Sequence, residues 1–319
     1  MNVYDFDGTI YDGDSTADFY FHCLKKYKGI LKTVPKMILA FIMYVLGIYK
    51  KTKFKEIMYR FLKYVPDIDK ELEIFWYENS KKIKKYYLEQ KKNSDVIISA
   101  SPEFLLEPIC KNLGVNKLMA SKVDKHTGKY DGLNCHDSEK VRRLYEWDKD
   151  AHIDEFYSDS FADTPLAEIS DKAFMVKGDR IYNWSEYKAP KYKMFLSREF
   201  ITFVVIGVIN TFAGSLFAIL YRNIIPNDTI AFIPGWLTGN VLSYFLNSIF
   251  TFRDRAFGII KYFKFLLSNI PNLVIQTVMV WILSGMLNVP SLIVYALAAI
   301  IGVPVTFVLV KIFAFAKKS

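Results

Sequence analysis

Cysteine and histidine are scarce in this chain of 319 residues, which has three Cys and four His. Cys23, Cys110 and Cys135 are scattered, odd in number and contain no Cys-x-x-Cys pair, so neither a disulfide framework nor a zinc site is expected. They read as core or surface thiols. Charge is scarce as well, but only in one part. From Arg198 onward there are nine Lys/Arg and three Asp/Glu, which leaves 33 and 30 of the chain totals for the first 197 residues. No charged side chain interrupts Phe200–Tyr221, Ile230–Phe252, Phe265–Leu287 or Val289–Val310, runs of 22 or 23 residues. A helix of roughly 20 apolar residues crosses a bilayer core, and four such runs argue against buried helices of a soluble protein. The lack of any ionisable side chain inside them also argues against a proton- or sodium-coupled pump.

Two units follow: a charged globular domain, then a lipid-soluble one. Basic residues gather on one side of the runs, which predicts that side to be cytoplasmic. Lys188, Lys191, Lys193 and Arg198 precede the first run, Arg253, Arg255, Lys261 and Lys264 lie between the second and third, and Lys311, Lys317 and Lys318 end the chain. Both termini are therefore expected in the cytoplasm, at a cell (inner) membrane. The net charge of +9 falls mostly at these flanks, where anionic lipid explains it without nucleic acid. The chain runs from Met1 directly into a strand pattern, so no signal peptide is expected.

That strand ends in Asp5-Phe6-Asp7-Gly8-Thr9. In an extended segment residues i and i+2 point to one side, so both carboxylates can meet one reacting group. Acidic turns are common, and the motif alone is weak. Val96-Ile97-Ile98-Ser99 reads as a buried parallel strand that ends in a hydroxyl. Lys140 lies near the start of a helix capped by Asp137 or Ser138, and Phe156–Asp163 ends a strand with Asp159 and Asp163 four residues apart. A carboxylate nucleophile facing a phosphate dianion needs positive charge beside it, which a lysine and a hard cation held by carboxylates supply.

In this order and at these separations the elements resemble the haloacid dehalogenase superfamily of phosphatases, over about residues 1–180. The resemblance implies an α/β Rossmann-like parallel sheet with an inserted helical cap over about residues 15–92. It implies Asp5 as nucleophile and Asp7 as general acid and base. Ser99 and Lys140 would bind phosphoryl oxygens, Asp5, Asp159 and the backbone carbonyl of Asp7 would hold Mg2+, and Asp163 would support Lys140 or a metal-bound water. The arrangement looks like the branch with phosphoserine phosphatase and phosphatidylglycerophosphate phosphatase. Asp14 stands where the serine enzymes carry Glu, Ala100-Ser101 replaces their Gly-Gly, and Ser158 replaces a glycine. These departures speak against an amino-acid phosphate as substrate.

Within the cap, Met37–Ile48 is almost unbroken in apolar character and bordered by Lys36, Lys50, Lys51 and Lys53. It is too short to span, and reads either as a core helix or as an interfacial helix lying in the cytoplasmic leaflet. Arg60 reads either as a bidentate anion contact or as part of a solvated helix face.

Past residues 181–197, a basic juxtamembrane linker, Phe203–Gly207 with Asn210-Thr211, Asn240–Tyr244, Asn247 and Thr251–Arg253 resemble the GtrA-like family. That resemblance implies an all-α, four-helix transmembrane domain over 198–319, associated with polyprenyl-phosphate-linked sugars in surface-polysaccharide pathways. Gly235-x-x-x-Gly239 permits close helix contact. Asn210, Asn240, Asn247, Asn269 and Gln276 form either a polar seam or helix-to-helix hydrogen bonds. Arg253 and Arg255 are candidates for a lipid headgroup. The expected partner is a membrane lipid, best a lipid-linked phosphate, and a homo-oligomer is left open. Two functions compete: a lipid phosphate hydrolase at the cytoplasmic face, and a transporter of a lipid-linked sugar with an attached phosphatase. An anchored phosphatase of soluble substrates is a third.

Overall fold

The computed structural model describes residues 1–225, 227–287 and 289–316, and the side chains of all of these except 191, 228–232, 273, 276, 280, 284–285, 291–292 and 295–296. Lys317, Lys318 and the side chains of Lys191 and Gln276 lie outside the described residues. The chain divides into two compact units, one of 1–44 with 49–188, the other of 189–319 with 45–48.

The first unit is built on one sheet of six strands: β1 (Asn2–Tyr4), β2 (Val96–Pro102), β3 (Lys117–Ser121), β4 (Ile153–Ser158), β5 (Ser170–Lys177) and β6 (Arg180–Asn183). Their spatial order is β3-β2-β1-β4-β5-β6, parallel throughout except for the β5–β6 hairpin. Strands of a parallel sheet are covered on both faces and so read as continuous apolar runs. Val3, Val96, Ile98 and Phe156 fill one face of the sheet, while Tyr4, Ile97 and Tyr157 fill the other. Central β1 pairs Val3 with both Val96 and Phe156, which puts its carboxyl end between the ends of β2 and β4. In open α/β sheets that crevice is where ligands bind.

The helices of this unit are α1 (Ser15–Lys26), α2 (Val34–Val45), α3 (Lys51–Met58), α4 (Ile68–Asn79), α5 (Lys85–Gln90), α6 (Glu103–Leu113), α7 (Ser138–Trp147) and α8 (Thr164–Glu168). The first five lie between β1 and β2, as an inserted cap requires. Asp14 caps α1 by accepting from Ala17 N at 2.9 Å. At α7 neither expected cap bond forms: Asp137 occupies the cap position with φ of 60° and makes no side-chain bond to the helix. On α2, Ala40 and Val45 are buried while Ile38, Leu39 and Phe41 are exposed, so the helix packs with part of its surface and leaves an apolar part uncovered.

The second unit is helical: α9 (Arg198–Arg222), α10 (Asp228–Leu246), α11 (Ile259–Ser268), α12 (Ile270–Met279) and α13 (Ser291–Leu309), with π-helical continuations at Asn247–Thr251, Val280–Met286 and Val310–Ala314. Among the described residues, three helices are long and apolar enough to cross a membrane: Arg198–Arg222, Ile259–Leu283 and Leu297–Ala314. The third expected span begins earlier than its charge-free run, because Lys261 and Lys264 sit in α11 itself. Gly235 and Gly239 let α10 approach α9 closely: a Cβ at Gly235 would lie 2.7 Å from the Ala218 backbone, and one at Gly239 3.2 Å from Gly214 Cα. Buried Asn247 donates to Ser243 O (2.9 Å) and accepts from Thr251 Oγ1 (2.9 Å), and Asn269 donates to Phe265 O (2.8 Å). These amides are bound within their own chain segment rather than forming a seam across helices.

Candidate active site

The site lies past the carboxyl ends of β1, β2 and β4. Asp5 N donates to Tyr157 O (2.9 Å), which prolongs the β1–β4 ladder, and strand alternation then sends Phe6 into the core and Asp5 and Asp7 to the other side. The chain turns at once, with Ile10 N and Tyr11 N both donating to Phe6 O (2.9 Å). Gly8 has φ of 71°, and a Cβ there would lie 2.7 Å from Asp159 Cγ. Glycine therefore serves twice, for the left-handed backbone and for the close approach of the β4 acid. Behind the turn, buried Lys84 donates to Gly8 O (2.6 Å) and Gly178 O (2.9 Å).

A cavity of about 530 Å3 is lined by Asp5, Asp7, Asp14, Lys140, Asp159 and Asp163, together with Lys51, Lys55, Ser101 and His136. Lys140, only 2% exposed, lies 2.8 Å from Asp5 Oδ1 and 2.8 Å from Asp163 Oδ1. Burial pulls its ammonium down, but the two acids outweigh this and raise it, so it stays charged. Burial pushes the Asp5 carboxyl up, to about 7, against the pull of Lys140. Asp7 is pushed up to about 6, first by burial and then by Asp14, against hydrogen bonds from Ser101 and Ser15. Asp159 is also raised, by burial first. The cavity thus holds more carboxylate than its lysines offset.

Six of the residues singled out from the sequence, Asp5, Asp7, Asp14, Lys140, Asp159 and Asp163, share this cavity. Ser99 lies beneath it, 1% exposed, with Oγ accepting from Ser101 N at 3.1 Å; its own proton has no acceptor among the described residues. Arg253 and Arg255 belong to the second unit, where with Glu199, Asp254 and Lys311 they line a cavity of about 660 Å3.

Two residues that depart from the family pattern, Ser101 and Ser158, hold the acids. Ser101 Oγ donates to Asp7 Oδ2 (2.5 Å), whose Oδ1 accepts from Ser15 N (2.6 Å), and Ser158 Oγ donates to Asp163 Oδ2 (2.7 Å). Lys51 and Lys55 belong to no motif in the sequence, although their i, i+4 spacing puts them on one face of α3. Lys55 donates to Ala100 O (2.9 Å), and burial, then the charge of Lys51, holds its ammonium down at about 8. His136 is lowered by burial and then by Lys51.

A hard divalent cation fits this donor set: clustered carboxylate oxygens with raised pKa values, and a backbone carbonyl at Asp7. The one set of three metal-ligating side chains whose ligand atoms lie within 4.8 Å of one another among the described residues is elsewhere. It is His152, Asp154 and Asp171, exposed at the amino end of β4.

A parallel sheet with an inserted helical cap and an acid-lysine centre at its carboxyl edge is the arrangement of a hydrolase. Residues 3–168 match the family model of haloacid dehalogenase-like hydrolases, more than half of the chain, and the chain belongs to that family. The expected haloacid dehalogenase-type phosphatase, a phosphoric monoester hydrolase, agrees with this. Residues 202–315 match the GtrA/DPMS transmembrane domain, so the protein joins such a hydrolase to a GtrA-like membrane domain. Protein CicA of Caulobacter vibrioides is 33% identical over 93 residues, 27% of this chain and 40% of CicA, and the figures are the same for its counterpart in a second strain. The chain thus spans about two fifths of the length of these curated relatives. Among solved structures, a protein of unknown function from Bordetella pertussis Tohama I has a TM-score of 0.46 at 20% identity, over 54% of this chain and 87% of that one. A phosphoserine phosphohydrolase-like protein from Francisella tularensis subsp. tularensis SCHU S4 has a TM-score of 0.35 at 16% identity, over 54% and 86%. A structure described as a phospho-aspartyl intermediate analogue of phosphoserine phosphatase has 0.37 at 16% identity, over 54% and 83%.

Proposed function

We propose that the protein hydrolyses a phosphomonoester on a membrane lipid or a lipid-linked phosphate, at the cytoplasmic face of a cell membrane, through an aspartyl-phosphate intermediate. The observation that carries the reading is the convergence of Asp5, Asp7, Lys140, Asp159 and Asp163 on one cavity. The Asp5 oxygen not engaged by Lys140 attacks phosphorus, a new O–P bond forms, and the bond to the leaving oxygen breaks. Asp7 donates its proton to that leaving oxygen. A pKa near 6 and bonds from Ser101 and Ser15 suit it to take a proton back from water in the second step, which releases phosphate and restores Asp5. Lys140 offsets charge on the transferring oxygens, and the uncommitted proton of Ser99 is available to one of them. Mg2+ held by Asp5, Asp159 and the Asp7 carbonyl would add the charge that lets a carboxylate approach a phosphate dianion.

A lipid substrate is supported by the fused membrane domain and by the exposed Ile38, Leu39 and Phe41 on α2, an apolar stripe bordered by lysines. Lys51 and Lys55 add two cations to the cavity beyond Lys140, which offset part of its carboxylate charge against an anionic substrate. The test offers purified full-length protein, with Mg2+ in detergent, a polyprenyl phosphate and a phospholipid monophosphate ester beside glucose 6-phosphate and phosphoserine. We expect kcat/KM at least tenfold higher for one of the lipids, a gap of about 1.4 kcal/mol. Equal or better turnover of the soluble esters would remove the lipid reading. Movement of a labelled polyprenyl lipid across vesicles by the Asp5→Asn protein would instead favour the transporter.

A further inference from the structure

A second cavity, of about 290 Å3, lies in the cap and shares no residue with the catalytic one. Six cations line it: Lys32, Lys36, Lys53, Arg60, Lys63 and Lys129. They come from four separate places: the turn before α2, α2 itself, α3 with the Tyr59–Tyr64 turn that follows it, and the loop after β3. Glu56 is the one carboxylate in the lining, and the one cation it pairs with among the described residues is Lys53, at 3.7 Å. The other five cations have no carboxylate within ion-pair distance among the described residues. A sphere of that volume is about 8 Å across, no wider than the screening length at physiological salt, so these charges repel one another.

The cavity is built rather than left over between mobile lysines. Its floor is buried Thr33 and Ile57. The loop that supplies Lys129 is fixed at several points: Asp124 Oδ1 accepts from Thr127 N and Thr127 Oγ1 (2.6 Å each), and Lys125 is paired with Asp69 at 2.5 Å. Gly128, with φ of 71°, lies directly on the cap, and a Cβ there would be 2.6 to 2.7 Å from Tyr59. Tyr130 N donates to Glu56 Oε1 (3.4 Å) from the same loop. A chain that spends a left-handed glycine and an ion pair to bring one more cation to a cationic cavity has a use for the charge.

We propose that this cavity binds a phosphorylated anion of two or more negative charges, at a site distinct from the catalytic one. Arg60 offers the planar fork for two phosphate oxygens, the lysines offer point charges, and the hydroxyl of Tyr64 adds a neutral donor. A concavity of this size, open to solvent and rimmed by exposed cations, takes a compact headgroup rather than a nucleic-acid strand. The chemistry is shared by a lipid phosphate headgroup and a free phosphate anion, and the test separates them. Because α3 turns Lys53 toward this cavity and Lys51 and Lys55 toward the catalytic one, the two sites use opposite faces of one helix.

The full chain in detergent, with EDTA to prevent turnover, is acylated with acetic anhydride and the modified lysines are read by mass spectrometry. One arm contains sodium pyrophosphate, a second dihexanoyl phosphatidic acid below its micellar concentration, and the control sodium chloride at equal ionic strength. In at least one arm, acylation of Lys36, Lys53, Lys63 and Lys129 slows about fivefold or more at concentrations several times Kd, while exposed Lys111 and Lys149 do not change. Protection by pyrophosphate alone identifies a free anion as ligand, and protection by the lipid alone a headgroup. Arg60→Gln, which removes no lysine, weakens the protection about tenfold in ligand concentration and leaves Mg2+-dependent hydrolysis of p-nitrophenyl phosphate unchanged. No protection in either arm, protection equal to that of Lys111 and Lys149, or protection that survives Arg60→Gln combined with Lys129→Gln overturns the proposal.

Discussion

In the hydrolase unit the buried charged groups of the site are held against their preference, whereas in the membrane unit several buried polar side chains bond to the backbone one helical turn away, and the buried Asn210 Oδ1 and Ser248 Oγ are neutral atoms without a partner among the described residues. Asp5 and Asp7 have carboxyls pushed up by burial, Lys55 has an ammonium pushed down by it, and Lys140 is gripped by two acids at once. Asn247, Ser268 and Thr306 instead bond to groups four residues back in their own chain, at Ser243, Lys264 and Gly302. Buried groups that a fold keeps uncomfortable are candidates for chemistry, and groups paired one helical turn away are ordinary helix packing. The contrast locates the reaction in the first unit. The two buried polar atoms without a partner among the described residues of the second unit, Asn210 Oδ1 and Ser248 Oγ, carry no charge.

The largest effect that follows is on Asp5. Asp5→Asn removes the proposed nucleophile, keeps the shape and leaves Lys140 paired with Asp163, so phosphate release falls by at least about 10³-fold while the protein elutes and melts as a folded species. Turnover within tenfold of wild type in a folded variant would end the Asp-nucleophile mechanism. Next is Lys140→Met, which leaves Asp5 and Asp163 buried without their shared cation. That costs about 3 to 5 kcal/mol of stability and about 10²-fold or more in kcat. Asn247→Leu, the matching change in the membrane unit, should leave hydrolysis of a soluble ester within about twofold, since its bonds close locally. If Asn247→Leu were as damaging to catalysis as Lys140→Met, the distinction between strained and satisfied groups would fail.

A smaller effect is expected at Ser101. Its hydroxyl is the side-chain donor to Asp7, and losing one hydrogen bond to a charged group is worth about 1.5 to 3 kcal/mol at most. Ser101→Ala should therefore lower kcat about tenfold, with KM little changed, because the bond orients an acid rather than the substrate. A change confined to KM would show that Ser101 touches substrate instead.

Much of this site is legible in the sequence, and the reason is geometric. Alternation along β1 requires Asp5 and Asp7 to share a side, and an apolar run such as Val96–Ser99 has to be a neighbouring strand, so the order of the motifs already implies their meeting. Contacts made by side chains reaching in from helices are not legible in this way. Lys51 and Lys55 look like any solvated pair until α3 is placed over the cavity, and buried Lys84 sits in a run of lysines from which nothing distinguishes it. Ser101 and Ser158 stand out in the sequence only as mismatches to a family pattern, because a hydroxyl's partner is fixed by tertiary contact. The interruption of the long apolar helices by π-turns, and the start of α11 upstream of its lysines, likewise depend on packing that periodicity does not encode.

The smallest effect is on pH dependence, and it tests whether the uncomfortable lysine is used. Burial lowers Lys55 to about 8 from the ordinary 10.5, so the folded state favours its neutral form. Below about pH 8 the ammonium is charged at a cost to stability; between about pH 8 and 10.5 that cost fades as the folded protein gives up the proton more readily than the unfolded chain. Substrate binding runs the other way. A charged Lys55 attracts an anionic substrate, so KM should rise several-fold, on the order of threefold to tenfold, as pH passes upward through about 8, with kcat following its own profile. In Lys55→Gln the KM should start at the higher value and stay flat across that interval. Retention of the wild-type rise in this variant would assign the titration to another group, and would reduce Lys55 to a tether for Ala100 O.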